Sequence, residues 1–202
     1  MANLIIKSSA DNLVLQGSDA SPAITVGATG TLTFAENVTM SGTANVYGAG
    51  TFPAGHIIQV LQSVKADKIN TTSNTATATG LSQAITPSAT SSKILITVAI
   101  GSVSHGTANE RIYFKIDGTV STSVGDAATG HECAACSSPH RASYDQESLV
   151  INFLDSPSTT SAKTYALHWW TNTGTAYLNS AGTTDASSGN TIATITCMEI
   201  AG

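Results

Sequence analysis

The chain has 202 residues with 8 basic and 13 acidic side chains, so its formal net charge is -5 and charged positions are 10% of the total. That balance excludes a protein that holds nucleic acid through phosphate contacts, which needs a basic surface. Gly, Ala, Ser and Thr supply 100 residues and aromatics only 5%, a composition from which one large core of interlocking bulky side chains is not expected. Apolar content of 41%, gathered in short Val, Ile and Leu runs, argues for an ordered chain. Thr, Val and Ile are strand residues and the charged helix formers are scarce, so the expected class is all-β. No run approaches the roughly 18 apolar residues of a membrane helix, and the first residues are too short for a signal peptide. A soluble chain without membrane insertion is expected. Three cysteines do not form the disulfide framework of a small secreted domain.

From the start to about Pro53 the apolar residues come in bursts of about three: Leu4–Ile6, Leu13–Leu15, Ile24–Val26, Leu32–Phe34, Val38–Met40 and Val46–Tyr47. Turn formers separate them, among them Gly17-Ser18-Asp19 and Gly48-Ala49-Gly50. Strands this short bury too little to offset their ordering entropy alone, so they need neighbours that repeat them, from a solenoid or from parallel copies wound about one axis. Residues 1–55 are expected to be a short β-repeat shaft or anchor of an oligomer, with Leu32 and Phe34 packing between copies.

Phe52-Pro53-Ala54-Gly55 interrupts the pattern as a linker, and residues 56–202 carry longer strands. Ile57–Val64 is apolar with polar interruptions, and Thr75–Thr79 alternates with period two. Ile94–Ile100 is almost continuously apolar, the pattern of a central strand covered on both faces. Arg111–Asp117 alternates and ends in Asp117-Gly118, a hairpin signal. Ser148–Leu154, Lys163–Trp170, Ala176–Asn179 and Thr191–Ile200 complete about eight strands, the number of a jelly roll or similar antiparallel β-sandwich. Trp169 and Trp170 point to opposite faces of one strand, which predicts one ring in the core and the other covered by a partner chain. The longest loops are expected at about Ser121–Gln146 and Ser180–Asn190.

One cluster has metal-ligand types: His131, Cys133, Cys136 and His140. Two thiolates and two imidazoles satisfy tetrahedral zinc or iron in number, but all four lie within ten residues, without the second half-site on another element that structural zinc modules use. A Cys133–Cys136 disulfide, or two free thiols in a variable loop, is the preferred reading, and the flanking histidines leave room for a reactive sulfur. The βαβ setting of a redox Cys-x-x-Cys is missing. No Gly-x-Ser-x-Gly elbow, phosphate-binding Gly-rich loop or His-Glu-x-x-His occurs, carboxylates are scattered, and His56 and His168 read as partly buried structural residues. The expectation is a protein without cofactor or catalysis. In the loop around 121–146, Arg141 and Tyr144 are the candidates for surface recognition, since Arg and aromatic anchors dominate binding where pockets desolvate them.

Four segments carry a family resemblance: Gly55–Gln62; Thr79–Pro87 with Ser92–Ile96; Asn152–Ser158 with Thr164-Tyr165; and the final Met198–Gly202. Together they resemble the C-terminal domain of fibre-like structural proteins, often called tail fibres, of marine tailed bacteriophages, over about residues 55–202. The resemblance implies a homotrimeric, β-rich virion protein without cofactor, on the tail or the capsid surface. Its expected partners are its own copies, other virion proteins through residues 1–55, and a host-surface glycan or protein. The alternatives are a capsid decoration protein that stabilises the shell, and a carbohydrate-binding or carbohydrate-active domain.

Overall fold

A computed structural model describes residues 54–119, 123–126, 134–182 and 189–202 in full, and residues 13–16, 22–26 and 32–34 as strand backbone. Every regular element among the described residues is a β-strand. The chain divides into two compact units, 1–50 and 51–202.

In the first unit, β1 (Leu13–Gln16), β2 (Pro22–Val26) and β3 (Leu32–Phe34) form an antiparallel sheet in chain order. Leu13 stands opposite Val26 and Ile24 opposite Phe34, so the short strands pair within their own chain. The other three apolar bursts, around residues 4–6, 38–40 and 46–47, lie outside the described residues.

The second unit holds β4 (Ile57–Lys65), β5 (Ile69–Thr71), β6 (Thr77–Ile85), β7 (Lys93–His105), β8 (Glu110–Asp117), β9 (Cys136–His140), β10 (Glu147–Asp155), β11 (Lys163–Thr171), β12 (Ala176–Leu178) and β13 (Ala193–Ile200). The first sheet runs β10-β7-β13-β4, with β12 joining the last residues of β7 and β5 beyond it. The second sheet runs β6-β11-β8-β9. All pairings are antiparallel, and the two sheets form a sandwich-like arrangement. With the three-residue β5 and β12 set aside, eight strands remain, and numbering them in chain order the sheets read 1-8-3-6 and 2-7-4-5.

Period-two alternation builds the core. Ile94, Ile96, Val98 and Ile100 of β7 point inward and meet Leu81 and Ile85 of β6, Ile112, Phe114 and Ile116 of β8, and Tyr165, Leu167 and Trp169 of β11, all in one buried cluster. The apolar run of β7 predicts cover on both faces, yet within the chain Leu95, Thr97 and Ala99 on the opposite face stay partly exposed. β7 is central because it has strand neighbours along both edges, while only one of its faces is packed.

Three further expectations change. β5 and β9 appear where no strand is predicted; β9 is Cys-Ser-Ser-Pro-His, has no apolar signal, and tolerates Pro139 because it lies at a sheet edge. Asp117-Gly118 closes no hairpin, since the chain runs on to residue 136 before β9 returns to β8. Gly118 serves close packing instead: its φ is +93°, and a Cβ there would lie 2.1 Å from the carbonyl oxygen of Thr164. Trp169 and Trp170 are both buried, at 1% and 4% exposure. Trp169 enters the core, and Trp170 stacks on Tyr113 at 5.5 Å, so neither ring is left for a partner chain.

Candidate functional site

Strand register defines two ends of the sandwich. The chain comes in at Ile57, opposite Ile200 at the close of β13. At the far end Lys65 stands opposite Ala193, β7 stops at His105, and Glu147 of β10 stands opposite Val103. Loops from four connections gather there. Gly106 N–H donates to the Thr175 carbonyl at 2.8 Å, Asn109 N–H to His140 at 2.6 Å and Tyr144 N–H to His105 at 2.7 Å, while Gln146 Nε2 donates to Gly189 at 2.9 Å.

β9 splits the long loop predicted for 121–146. Cys136 opens β9 opposite Phe114, whereas His140 closes it opposite Glu110, so Arg141 and Tyr144 emerge at the far end and the connection from β8 at the other. Cys136 carries a free, half-buried thiol whose pKa burial pushes up. His131 and Cys133 lie outside the described residues. Among the described residues no group of three or more His, Cys, Asp or Glu side chains could hold a metal ion.

Arg141 and Tyr144 are exposed in the turn from β9 to β10. Tyr144 has φ +67°, a left-handed conformation that costs a bulky residue about 1 kcal/mol. Its amide bond to His105 and its ring, 6.1 Å from that of Tyr177, hold it there. Asn109 and Asn179 at the same end also have positive φ, which Asn tolerates better. Among the described residues, three of the four non-glycine residues with positive φ thus sit in this loop cluster, the fourth being Ser158.

Beneath the turn lies a buried polar layer. His105 and His140 are fully buried with ring centroids 6.3 Å apart. His105 Nδ1 lies 2.9 Å from both the amide nitrogen and the carbonyl oxygen of Thr107, and its Nε2 lies 2.9 Å from Thr171 Oγ1 and from Thr173 O. His140 Nδ1 faces the Asp145 carbonyl at 3.2 Å, while its Nε2 has no hydrogen-bond partner. Burial holds His140 below the usual histidine pKa, against the opposing influence of Glu147. Glu147 itself accepts from Ser138 Oγ at 2.5 Å. His105 gave no sequence signal, because a single histidine at a strand end carries no spacing that can be read.

Two buried carboxylates were also unforeseen. Glu199 accepts from Ser88 N–H and Oγ at 2.6 Å, Ser92 Oγ at 2.7 Å and Gln59 Nε2 at 2.5 Å. Burial alone would raise its pKa, but these donors outweigh it and hold the carboxyl below its usual value. Asp155 accepts from Tyr165 OH at 2.8 Å, and burial followed by Asp155 pushes the phenol well above its ordinary range. Burial also raises the Cys197 thiol to about 12, so it is an inert core residue. These groups clamp strands together and offer no free acid or base. Comparison with known protein families and with curated proteins finds no match.

Proposed function

We propose that the protein is a structural component of a bacteriophage virion, a homotrimeric fibre or spike attached through residues 1–55 that displays a jelly-roll sandwich to the host surface. The observation that carries this reading is polarity: the chain enters the sandwich at Ile57, and the loop cluster with exposed Arg141 and Tyr144 lies at the opposite end of the strands. A rigid sandwich that fixes loops away from its attachment point suits surface recognition. The jelly-roll part rests on the strand orders 1-8-3-6 and 2-7-4-5, which nest one antiparallel pair inside the next. The capsid-decoration alternative shares this architecture and differs in place and copy number on the particle. The carbohydrate-active alternative draws no support from Glu199 and Asp155, whose partners are structural.

The test is labelling of purified particles with an antibody against residues 56–202, together with adsorption of particles carrying Arg141→Ala and Tyr144→Ala. Label at the tail and adsorption reduced about tenfold, with thermal stability unchanged, is the expected result. Label spread over the shell selects the decoration protein, and absence of the protein from particles overturns both readings.

A further inference from the structure

The outward face of β10-β7-β13-β4 is exposed, rich in apolar side chains and nearly uncharged. Among the described residues eight large apolar side chains are markedly exposed; Ile57, Val60, Val64, Val150 and Leu154 stand on this face and Ile192 borders it. The registers arrange the outward residues in rows across the strands. One row is Val64, Thr194, Ala99 and Val150. The next is Gln62, Thr196, Thr97 and Asn152, and the third is Val60, Met198, Leu95 and Leu154. A shallow depression of about 400 Å³ between Ala99, Val150, Ile192 and Thr194 adds an uncovered apolar recess. Lys93, at the Ile57 end, is the only charged side chain at these outward positions.

The polar middle row is partly paired within the face. Gln62 Nε2 donates to Thr196 Oγ1 and Thr97 Oγ1 to Asn152 Oδ1, both at 2.8 Å. Covering the row requires partners for the remaining amide donors and the Gln62 carbonyl, which the same row of a neighbouring copy supplies in kind.

We infer that this face is the surface through which three copies of the chain meet, an inference that rests on the homotrimer reading. The run Ile94–Ile100 has the composition of a strand covered twice, and among the described residues it is packed on one face. Around an axis parallel to the strands, related copies stand at the same height, so each row meets its own kind: apolar on apolar, amide and hydroxyl on amide and hydroxyl. A partner of opposite charge has almost nothing to pair with. Area argues against a simple pair. Four strands roughly 4.8 Å apart and about eight residues long make a face of about 500 Å². That is short of the roughly 800 Å² per partner of a stable pair, but in a closed trimer each chain buries this face and its β4 and β10 edges against two neighbours.

The test uses full-length protein in sedimentation equilibrium, with circular dichroism to verify folding. Wild type is expected to sediment as three chains, Val60→Asp/Leu154→Asp as folded single chains, and Ser82→Asp, on the second sheet, as three. A trimeric Val60→Asp/Leu154→Asp variant, or a Ser82→Asp variant that dissociates, overturns the assignment of the face and leaves the trimer standing. Wild type sedimenting as a monomer overturns both, including the case in which residues 1–50 of the same chain cover the face. If the Asp variant does not fold, Val60→Thr/Val64→Thr/Val150→Thr replaces it, since Thr keeps the shape and strand preference of Val. At least a tenfold rise in the concentration needed for half-assembly supports the face, and an unchanged midpoint overturns it.

Discussion

The two outward faces of the sandwich cover one core and differ in everything else. On the second sheet Lys115 and His168 each lie 3.8 Å from Asp117, Arg111 is exposed nearby, and the only large rings, Tyr113 and Trp170, cover one another. On the first sheet the equivalent positions hold Val, Leu, Met, Thr and Ala, with internally paired amides and one lysine at the margin. The inward halves are alike, so the contrast is written wholly in the alternate residues. β8 carries Arg, Tyr, Lys and Asp outward and suits contact with water, whereas β7 carries the uncharged Leu, Thr and Ala outward. On the trimer proposal, the difference separates what holds one chain together from what would join several.

The largest expected effect lies in what the faces share. Glu199→Ala removes the acceptor for Ser88, Ser92 and Gln59 and leaves buried donors unpaired, which costs about 3 kcal/mol. Denaturant unfolding of the variant should show that loss at every protein concentration, and a loss below 1 kcal/mol would mean that the clamp is dispensable. The same group sets an acid limit. Its native pKa lies below its unfolded one, so its stabilisation is complete above the usual carboxylate pKa of about 4.3 and is lost as pH falls through that value toward the native one. His140 acts earlier. Burial lowers its native pKa, the unfolded chain takes up a proton first, and stability should begin to fall below about pH 6.5. His140→Leu should remove that first decline and leave the carboxylate step; an unchanged profile above pH 5 would assign the early step to another group.

The next effect belongs to the apolar face. If assembly covers it, unfolding is coupled to dissociation, and apparent stability should rise by roughly 1 kcal/mol per chain for each tenfold increase in protein concentration. Scanning calorimetry over a hundredfold concentration range reads this directly, and a melting temperature that does not move would leave the face as ordinary monomer surface.

Much of the fold was legible because period two is a strong signal: the alternation of Arg111–Asp117 and the runs at Ile57–Val64, Ser148–Leu154 and Lys163–Trp170 lie where β8, β4, β10 and β11 run. β9 was hidden because an edge strand of Cys, Ser, Pro and His buries its Ser138 and His140 through hydrogen bonds and not through apolar bulk. The tryptophan pair misled because sequence shows that neighbouring side chains diverge, but not that Tyr113 stands across from Trp170 to cover it. Residues of the segments behind the fibre resemblance meet in space: Gln59, Ser92 and Glu199 in one clamp, which Ser88 joins, and Asp155 and Tyr165 in another. They hold the fold, and the exposed Arg141 and Tyr144 stand outside those motifs. Of the loop cluster, the exposed positions of Arg141 and Tyr144 were legible in the sequence, but not the buried histidines and the neighbouring loops around them, because those come together only through register.

The smallest effect is expected on the charged face. Asp117 is 56% exposed in its side chain and sits 3.8 Å from both Lys115 and His168, the outer limit of an ion pair. Exposed pairs of this kind contribute about 0–1 kcal/mol, because water screens the charges and ordering the side chains costs entropy. Asp117→Asn should therefore change unfolding free energy by less than about 0.5 kcal/mol and leave the sedimenting species unchanged in low and high salt. A loss above 1 kcal/mol, or dissociation of the trimer, would show that the second sheet also meets a neighbour, and the division of the sandwich into one wet and one covered face would then be wrong.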